Sequence, residues 1–272
     1  MRPTEHVLDM FAVPGDTEPA PGGQGRSVRA GDLVLSPNRD ADVQAELNPP
    51  LARLAVDLDT RPDRDHRDLR IAMPVPARDG RWVVDGWAAT RHEPGAQQLT
   101  DLAALRAVGA VLHAELGRVV TDWPAARRPP RGRWAEAERA AFAETPLPAG
   151  TLAPAGEALL RALADRRDDT PLGPDQLVHG DLAGNILLDP DGAPVVMDVA
   201  PYWRPMLWAE ATGVLDSVLW FGTDPGVMEH WTTGAAGQAM VRSAIFRLLG
   251  DRPVDVAAHE RVLSPILASI RS

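Results

Sequence analysis

The apolar positions of this chain alternate in short stretches up to about residue 90 and recur at helical spacing from about residue 99. Before that change, residues 4–11 read as a short helix, with Thr4 as N-cap and Val7, Leu8 and Phe11 on one face. Arg26-Ser27-Val28-Arg29 and Leu33-Val34-Leu35 read as strands joined by a hairpin turn at Ala30-Gly31-Asp32. A helix begins near Asp40, and residues 57–68, dense in charge and holding Pro62, read as an exposed loop. Residues 69–75 and 81–84 give further strands around the turn Ala77-Arg78-Asp79-Gly80, the second running on through Trp87 towards Thr90. Beyond the change of period, Leu102, Leu105, Val108, Val111, Leu112 and Leu116 mark one face of a helix with Thr100 as its N-cap. Further helices are expected over 134–144, 156–166, 206–221 and 242–249. The pattern therefore predicts an α/β (α+β) chain with a small antiparallel-sheet region over 1–95 and a mainly helical region over 96–272.

Composition narrows the function classes. With 272 residues and 44% apolar content the chain can bury a sizeable core. No run approaches the ~20 apolar residues of a membrane span, and no basic stretch with an apolar core opens the chain, so neither a membrane partner nor a signal peptide is expected. The absence of cysteine excludes disulfides and thiolate metal sites and makes the cytoplasm the expected compartment. All 28 basic residues are arginine, which reads as GC-rich coding rather than as one chemistry. A net charge of −10 argues against a nucleic-acid partner and favours a cationic small molecule by long-range attraction. Oligomeric state is not written in these features.

Candidate chemistry concentrates in His179-Gly180-Asp181-Leu182-Ala183-Gly184-Asn185, entered from apolar Leu177-Val178 and left through Ile186-Leu187-Leu188. Thirteen residues after Asn185, Asp198 ends a second apolar run, Pro194-Val195-Val196-Met197. One acid able to take a hydroxyl proton, with an amide and a second acid able to share a cation, is the equipment of Mg-dependent phosphoryl transfer. Upstream, Gly22-Gly23-Gln24-Gly25 precedes two strands, where glycine lets backbone N–H groups approach phosphates. Asp216 lies in an apolar stretch and needs a partner if buried, and His113 reads as a buried, hydrogen-bonded histidine. The tryptophans at 203, 208, 220 and 231 read as core or as the floor of a substrate cleft. Arg127 to Arg133 is a basic loop. Neither zinc-ligand spacing nor a G-x-S-x-G elbow is present.

At these residues the chain resembles the aminoglycoside phosphotransferase group of the protein-kinase-like superfamily, which also holds choline, homoserine and methylthioribose kinases and macrolide phosphotransferases. That group's loop reads HGDLHPGN, one residue longer between the acid and the amide than here, and the continuation Asp198 to Pro205 resembles a subfamily of high-GC bacteria. The resemblance implies a two-lobed kinase-like fold binding ATP and Mg²⁺. Asp181 would act as catalytic base, Asn185 and Asp198 as metal ligands, His179 as support of the loop and Asp216 as its brace. Gly22, Gly23, Gln24 and Gly25 would cover the phosphates. Residues 90–95 would form the hinge, where backbone groups, with Ala89 and Arg91 beside them, read the adenine edge. The strand position that carries a lysine in such folds falls on Ser36, and Glu46 would be that lysine's usual partner. Arg29, the first candidate, or Arg39 or Arg53 would supply the missing charge. An O-phosphotransferase is the reading preferred here. A nucleotide-binding or scaffolding protein without turnover, and an AMP-transferring variant, stay open because of Ser36.

Overall fold

The computed structural model of the chain describes residues 2–20, 25–129 and 131–269. In chain order the first elements are α1 (Glu5–Met10), β1 (Glu18–Pro19), β2 (Val28–Ala30), β3 (Leu33–Ser36) and α2 (Ala41–Thr60). Next come β4 (Arg70–Ile71), β5 (Pro74–Val75), β6 (Ala88–Arg91), β7 (Gln97–Gln98), α3 (Leu102–Val119), α4 (Arg133–Ala141) and α5 (Pro154–Ala164). The remainder holds β8 (Asp175–His179), β9 (Ile186–Leu188), β10 (Pro194–Val196), β11 (Pro201–Pro205) and α6 (Met206–Trp220). It closes with α7 (Gly234–Gly250), α8 (Val256–Val262) and α9 (Ser264–Ala268).

These elements fall into two compact units, each discontinuous in sequence, where the chemical pattern divides the chain once, at 95/96. One contains residues 1–99, 111–126 and 184–201; the other contains 100–110, 127–183 and 202–272. The first unit carries a five-stranded sheet in the order β1-β2-β3-β6-β5, antiparallel throughout. Alternation along β3 decides its two faces. Leu33 and Leu35 turn to a core shared with Val7, Leu8 and Phe11 of the N-terminal helix region, while Val34 and Ser36 turn to the opposite side. Gly31, at φ +58, makes the tight β2–β3 turn that the sequence predicts there. A second sheet, β4-β10-β9-β7, belongs to the same unit and includes the parallel pair β4–β10.

Helix α2 starts where expected, Asp40 accepting the N–H groups of Asp42 and Val43 at 2.9 and 3.1 Å. It then runs through Thr60, into residues expected as loop, because Leu47, Leu51, Leu54 and Leu58 continue one buried stripe. Pro49 and Pro50 remove two helix hydrogen bonds, and the buried stripe is what offsets that cost. Two other expectations are corrected. Residues 81–84 form no strand: Asp85 and Gly86 turn at φ +48 and +79, Val84 bridges Trp87, and the strand begins only at Ala88. Helix α3 is capped by Asp101 rather than Thr100, its Oδ1 accepting the Ala104 N–H at 2.7 Å.

The second unit is helical apart from the two-stranded pair β8–β11. Its core centres on Trp208 and Phe246, both essentially buried, with ring centroids 5.3 Å apart at 71°. Tyr202 and Phe142 meet Trp208 edge-on at 5.4 and 5.6 Å. The mixed α/β organisation, with antiparallel sheet towards the N-terminus and helices towards the C-terminus, agrees with the expected fold class. Among the described residues no helix is long and apolar enough to cross a membrane.

Candidate active site

The first unit holds a cavity of about 230 Å³ between the Val34/Ser36 face of its five-stranded sheet, helix α2 and residues 196–199. Ligand pockets for whole drug-sized molecules span ~300–1,000 Å³, so this space suits a flat heterocycle better than a complete nucleotide. Ala89, Thr90, Arg91, His92, Glu93 and Gly95 line one side, which places the expected hinge on its wall. Ser36 lines it as well, with its Oγ 2.9 Å from that of Ser27.

Two of the charged residues named for the Ser36 position, Arg29 and Glu46, lie outside this cavity lining. Arg29 shares the sheet face of Val34, but Glu18 across the β1–β2 pair takes its guanidinium at 3.3 Å, at the half-exposed rim and outside the cavity lining. Glu46 is on a different face of α2 and accepts the Ala125 N–H at 3.0 Å. The α2 residues that do line the cavity are Gln44, Leu47, Asn48 and Leu51, spaced for one helix face. Gly25 has φ +70 with open space where a Cβ would stand, and it does not line the cavity. Gly22, Gly23 and Gln24 lie outside the described residues.

Asp198 does line the cavity, and its carboxylate is paired with the guanidinium of Arg39. Its backbone sits at φ +52, a left-handed conformation rare for a residue with a side chain. Asn185 stands at the same end of the β9–β10 hairpin, its carbonyl accepting the Met197 N–H at 2.9 Å. An amide oxygen and a carboxylate are hard donors that suit Mg²⁺, which is usually held by one or two carboxylates plus water and phosphate oxygens. Among the described residues no group of three or more His, Cys, Asp or Glu is placed to hold a metal alone. The donor chemistry therefore fits a metal brought with a phosphate and not a self-sufficient protein cage.

In the second unit, β8 ends at His179 and the chain turns sharply. Gly180 permits the turn to press on the aromatic core, since a Cβ there would meet the Tyr202 ring at 2.4 Å. The Asp181 N–H donates to Nδ1 of fully buried His179 at 3.1 Å, which gives that histidine the supporting place expected of it. The Asp181 carboxylate, whose side chain is 40% exposed, accepts from Nη2 of Arg247 at 2.7 Å. Arg247 is itself buried on α7, and its Nε donates to Oδ1 of buried Asp216 at 2.8 Å. Asp216 thus braces the loop through an arginine. Burial pushes its carboxyl up, to about 7, against the pull of Arg247. Burial also disfavours the charge on Arg247, but Asp216 and Asp181 outweigh it and hold the guanidinium above its ordinary value.

Arg247, which joins Asp181 to Asp216, is the contact of the candidate site that the sequence reading misses. Its signal was present: one charge inside the apolar helical run Ala244-Ile245-Phe246-Arg247-Leu248-Leu249 needs a partner if that run is buried.

Searches by sequence find no matching family model and no matching curated protein. Solved structures do match. A choline/ethanolamine kinase family protein from Mesorhizobium loti is similar at TM-score 0.53 and 18% identity over 97% of each chain. LicA in complex with AMP is similar at TM-score 0.52 and 12% identity over 96% of each chain. The choline kinase LicA from Streptococcus pneumoniae aligns at TM-score 0.48 and 14% identity, over 97% of this chain and 98% of that one. At 18% and 12% identity the first two likenesses establish the fold, which is the mixed α/β, kinase-like fold of these proteins.

Proposed function

We propose that the chain is an ATP- and Mg²⁺-dependent O-phosphotransferase acting on a hydroxylated small molecule. The observation that carries this reading is Asp181, a partly exposed carboxylate whose orientation is set by a buried arginine–aspartate pair. A loop that only capped a turn has no use for such a mount. Likeness to a choline/ethanolamine kinase family protein and to an AMP-bound kinase-like structure supports the same reading. The net charge of −10 supports a cationic acceptor, antibiotic or metabolite. The lack of cysteine supports the cytoplasm as its place of action.

In this reading Asp181 accepts the proton of the acceptor hydroxyl, and Arg247 keeps the carboxylate aimed at it. When Asp181 gains that proton, Arg247 keeps its hydrogen bond to Asp216 and so stays in place. Asn185 and Asp198 would hold Mg²⁺, which supplies charge neutralisation at the nucleotide phosphates. Ser36 favours a second reading, a nucleotide-binding protein without turnover, because it puts no cation on the strand beside the cavity. An AMP-transferring variant follows from the same change.

The test is calorimetry with Mg-ATP, followed by ADP- and pyrophosphate-release assays on a panel of hydroxylated amines. Binding with ADP release supports phosphotransfer. Pyrophosphate and AMP transfer point to the variant chemistry, and binding without turnover on any acceptor points to the second reading. No binding of any nucleotide defeats these three and leaves a scaffolding protein.

A further inference from the structure

Resting on the nucleotide reading above, we propose that Arg39 binds the nucleotide phosphates, and that Asp198 holds its guanidinium until a divalent cation takes that carboxylate. The charge inventory of the cavity points to Arg39. Among the described residues that line it, the cations are Arg39 and Arg91 and the carboxylates are Glu93 and Asp198. Glu93 is occupied by Arg70, which reaches its two oxygens at 3.0 and 3.4 Å. Arg91 stands at the exposed end of β6. Ser36 is bound to Ser27, and the cavity face of α2 offers the uncharged Gln44 and Asn48. Strand and helix are thus both neutral at this wall. Arg39, on the turn that joins them, carries the positive charge instead.

Its mounting suits an exchange. Asn38 turns the chain at φ +61, the Arg39 N–H donates to the Gly86 carbonyl at 2.9 Å, and Asp40 caps α2 immediately after. The backbone is pinned on both sides, and the long side chain reaches Asp198 from that fixed point. The Arg39 and Asp198 side chains are 21% and 17% exposed, so the pair is within reach of water and ions. A divalent cation competes for Asp198 with twice the charge of a guanidinium. The released guanidinium then presents a planar fork of donors that matches phosphate oxygens. One arginine therefore serves as counter-ion to the metal carboxylate in the empty cavity and as phosphate ligand in the loaded one.

Two measurements with opposite signs test this. Calorimetry would compare ATP and adenosine, with Mg²⁺, on the parent chain, Arg39→Met and Arg39→Lys. Arg39→Met should weaken ATP about ten- to a hundredfold, the size of a charge-assisted contact, while adenosine changes less than about twofold. Arg39→Lys should recover part of the ATP loss. Separately, Mn²⁺ alone, read by electron paramagnetic resonance, should bind Arg39→Met about two- to fivefold more tightly than the parent, because its competitor for Asp198 is gone. Equal losses for ATP and adenosine, or no loss of ATP, would overturn the proposal while leaving the nucleotide reading standing. Unchanged or weaker Mn²⁺ binding would overturn the exchange. A parent chain that binds no nucleotide would take down the reading itself, and this inference with it.

Discussion

In the unit built on the two sheets, Asp79, Glu115 and Asp189 are held below the ordinary carboxylate range. The Arg81 N–H does this for Asp79, and Arg61 does it for Glu115. For Asp189, slight burial is outweighed by the N–H groups of Ala193 and Asp191 and by Arg70. In the helical unit, Glu138, Asp175, Asp216 and Asp251 are all pushed up, and burial is the largest cause each time. The contrast is one of solvent. Near water an ion pair is cheap to form and cheap to exchange, whereas in a core it is costly to build and strongly penalised when broken. The candidate residues of each unit follow its own regime. Arg39–Asp198 is a partly exposed pair, and Arg247–Asp216 is a buried one from which Arg247 also donates to Asp181.

The largest effect expected from this contrast is on chemistry. Asp181→Asn should lower phosphotransfer by ~10²–10⁴, the usual worth of a general base, while the Kd for Mg-ATP stays at the parent value. Single-turnover rates and calorimetry on the same preparation check this. A variant that keeps most of the parent's rate would remove Asp181 from the reaction.

Next in size is the difference between the two arginines. Arg247→Met leaves Asp216 buried without its partner and should cost ~3–5 kcal/mol of stability. Arg39→Met breaks a partly exposed pair and should cost no more than ~1 kcal/mol. Adding Asp216→Leu to Arg247→Met should recover much of the first loss, since no buried charge then remains. Urea unfolding of the set decides it: equal costs for the two single variants would erase the contrast between a buried and a partly exposed pair.

Both arginines also show what a sequence can and cannot reveal about such a site. The Thr4 cap, the start of α2 near Asp40, the Gly31 turn and the His179–Asn185 loop are legible because each is made within a few residues of itself. Residues 81–84 misled because the apolar run Trp82-Val83-Val84 reads as a strand but ends in the Asp85–Gly86 turn, a backbone choice that residue pattern does not register. Arg39 and Arg247 have partners 159 and 66 residues away, and no local pattern encodes a pairing at that range. Of Arg29, Arg39 and Arg53, three arginines in one composition-driven background, only the side-chain geometry separates the one that reaches Asp198. The absence of lysine removed the type difference that would otherwise have singled it out.

The gentlest test leaves the sequence untouched and uses pH, at no more than ~1.4 kcal/mol per pH unit for any one group. Asp216 titrates near 7 in the fold against an ordinary value of 3.8. Between those values the native state keeps a proton that the unfolded chain has released. Its contribution to stability is therefore fully present below 3.8 and is lost as pH rises through 7. Asp79, Glu115 and Asp189 have the opposite sign. Their folded values lie below the unfolded ones, so their contribution is present above about 4 and is lost as pH falls through the folded values. Native-state hydrogen exchange at pH 5 and pH 8, corrected for intrinsic rates, should show α6 and α7 losing protection as pH rises. The β2–β3–β6 sheet should hold steady across that window and loosen only in acid. Asp216→Asn should flatten the slope of the helical unit. If that slope survives the substitution, or if both units respond alike, burial at Asp216 is not what distinguishes them.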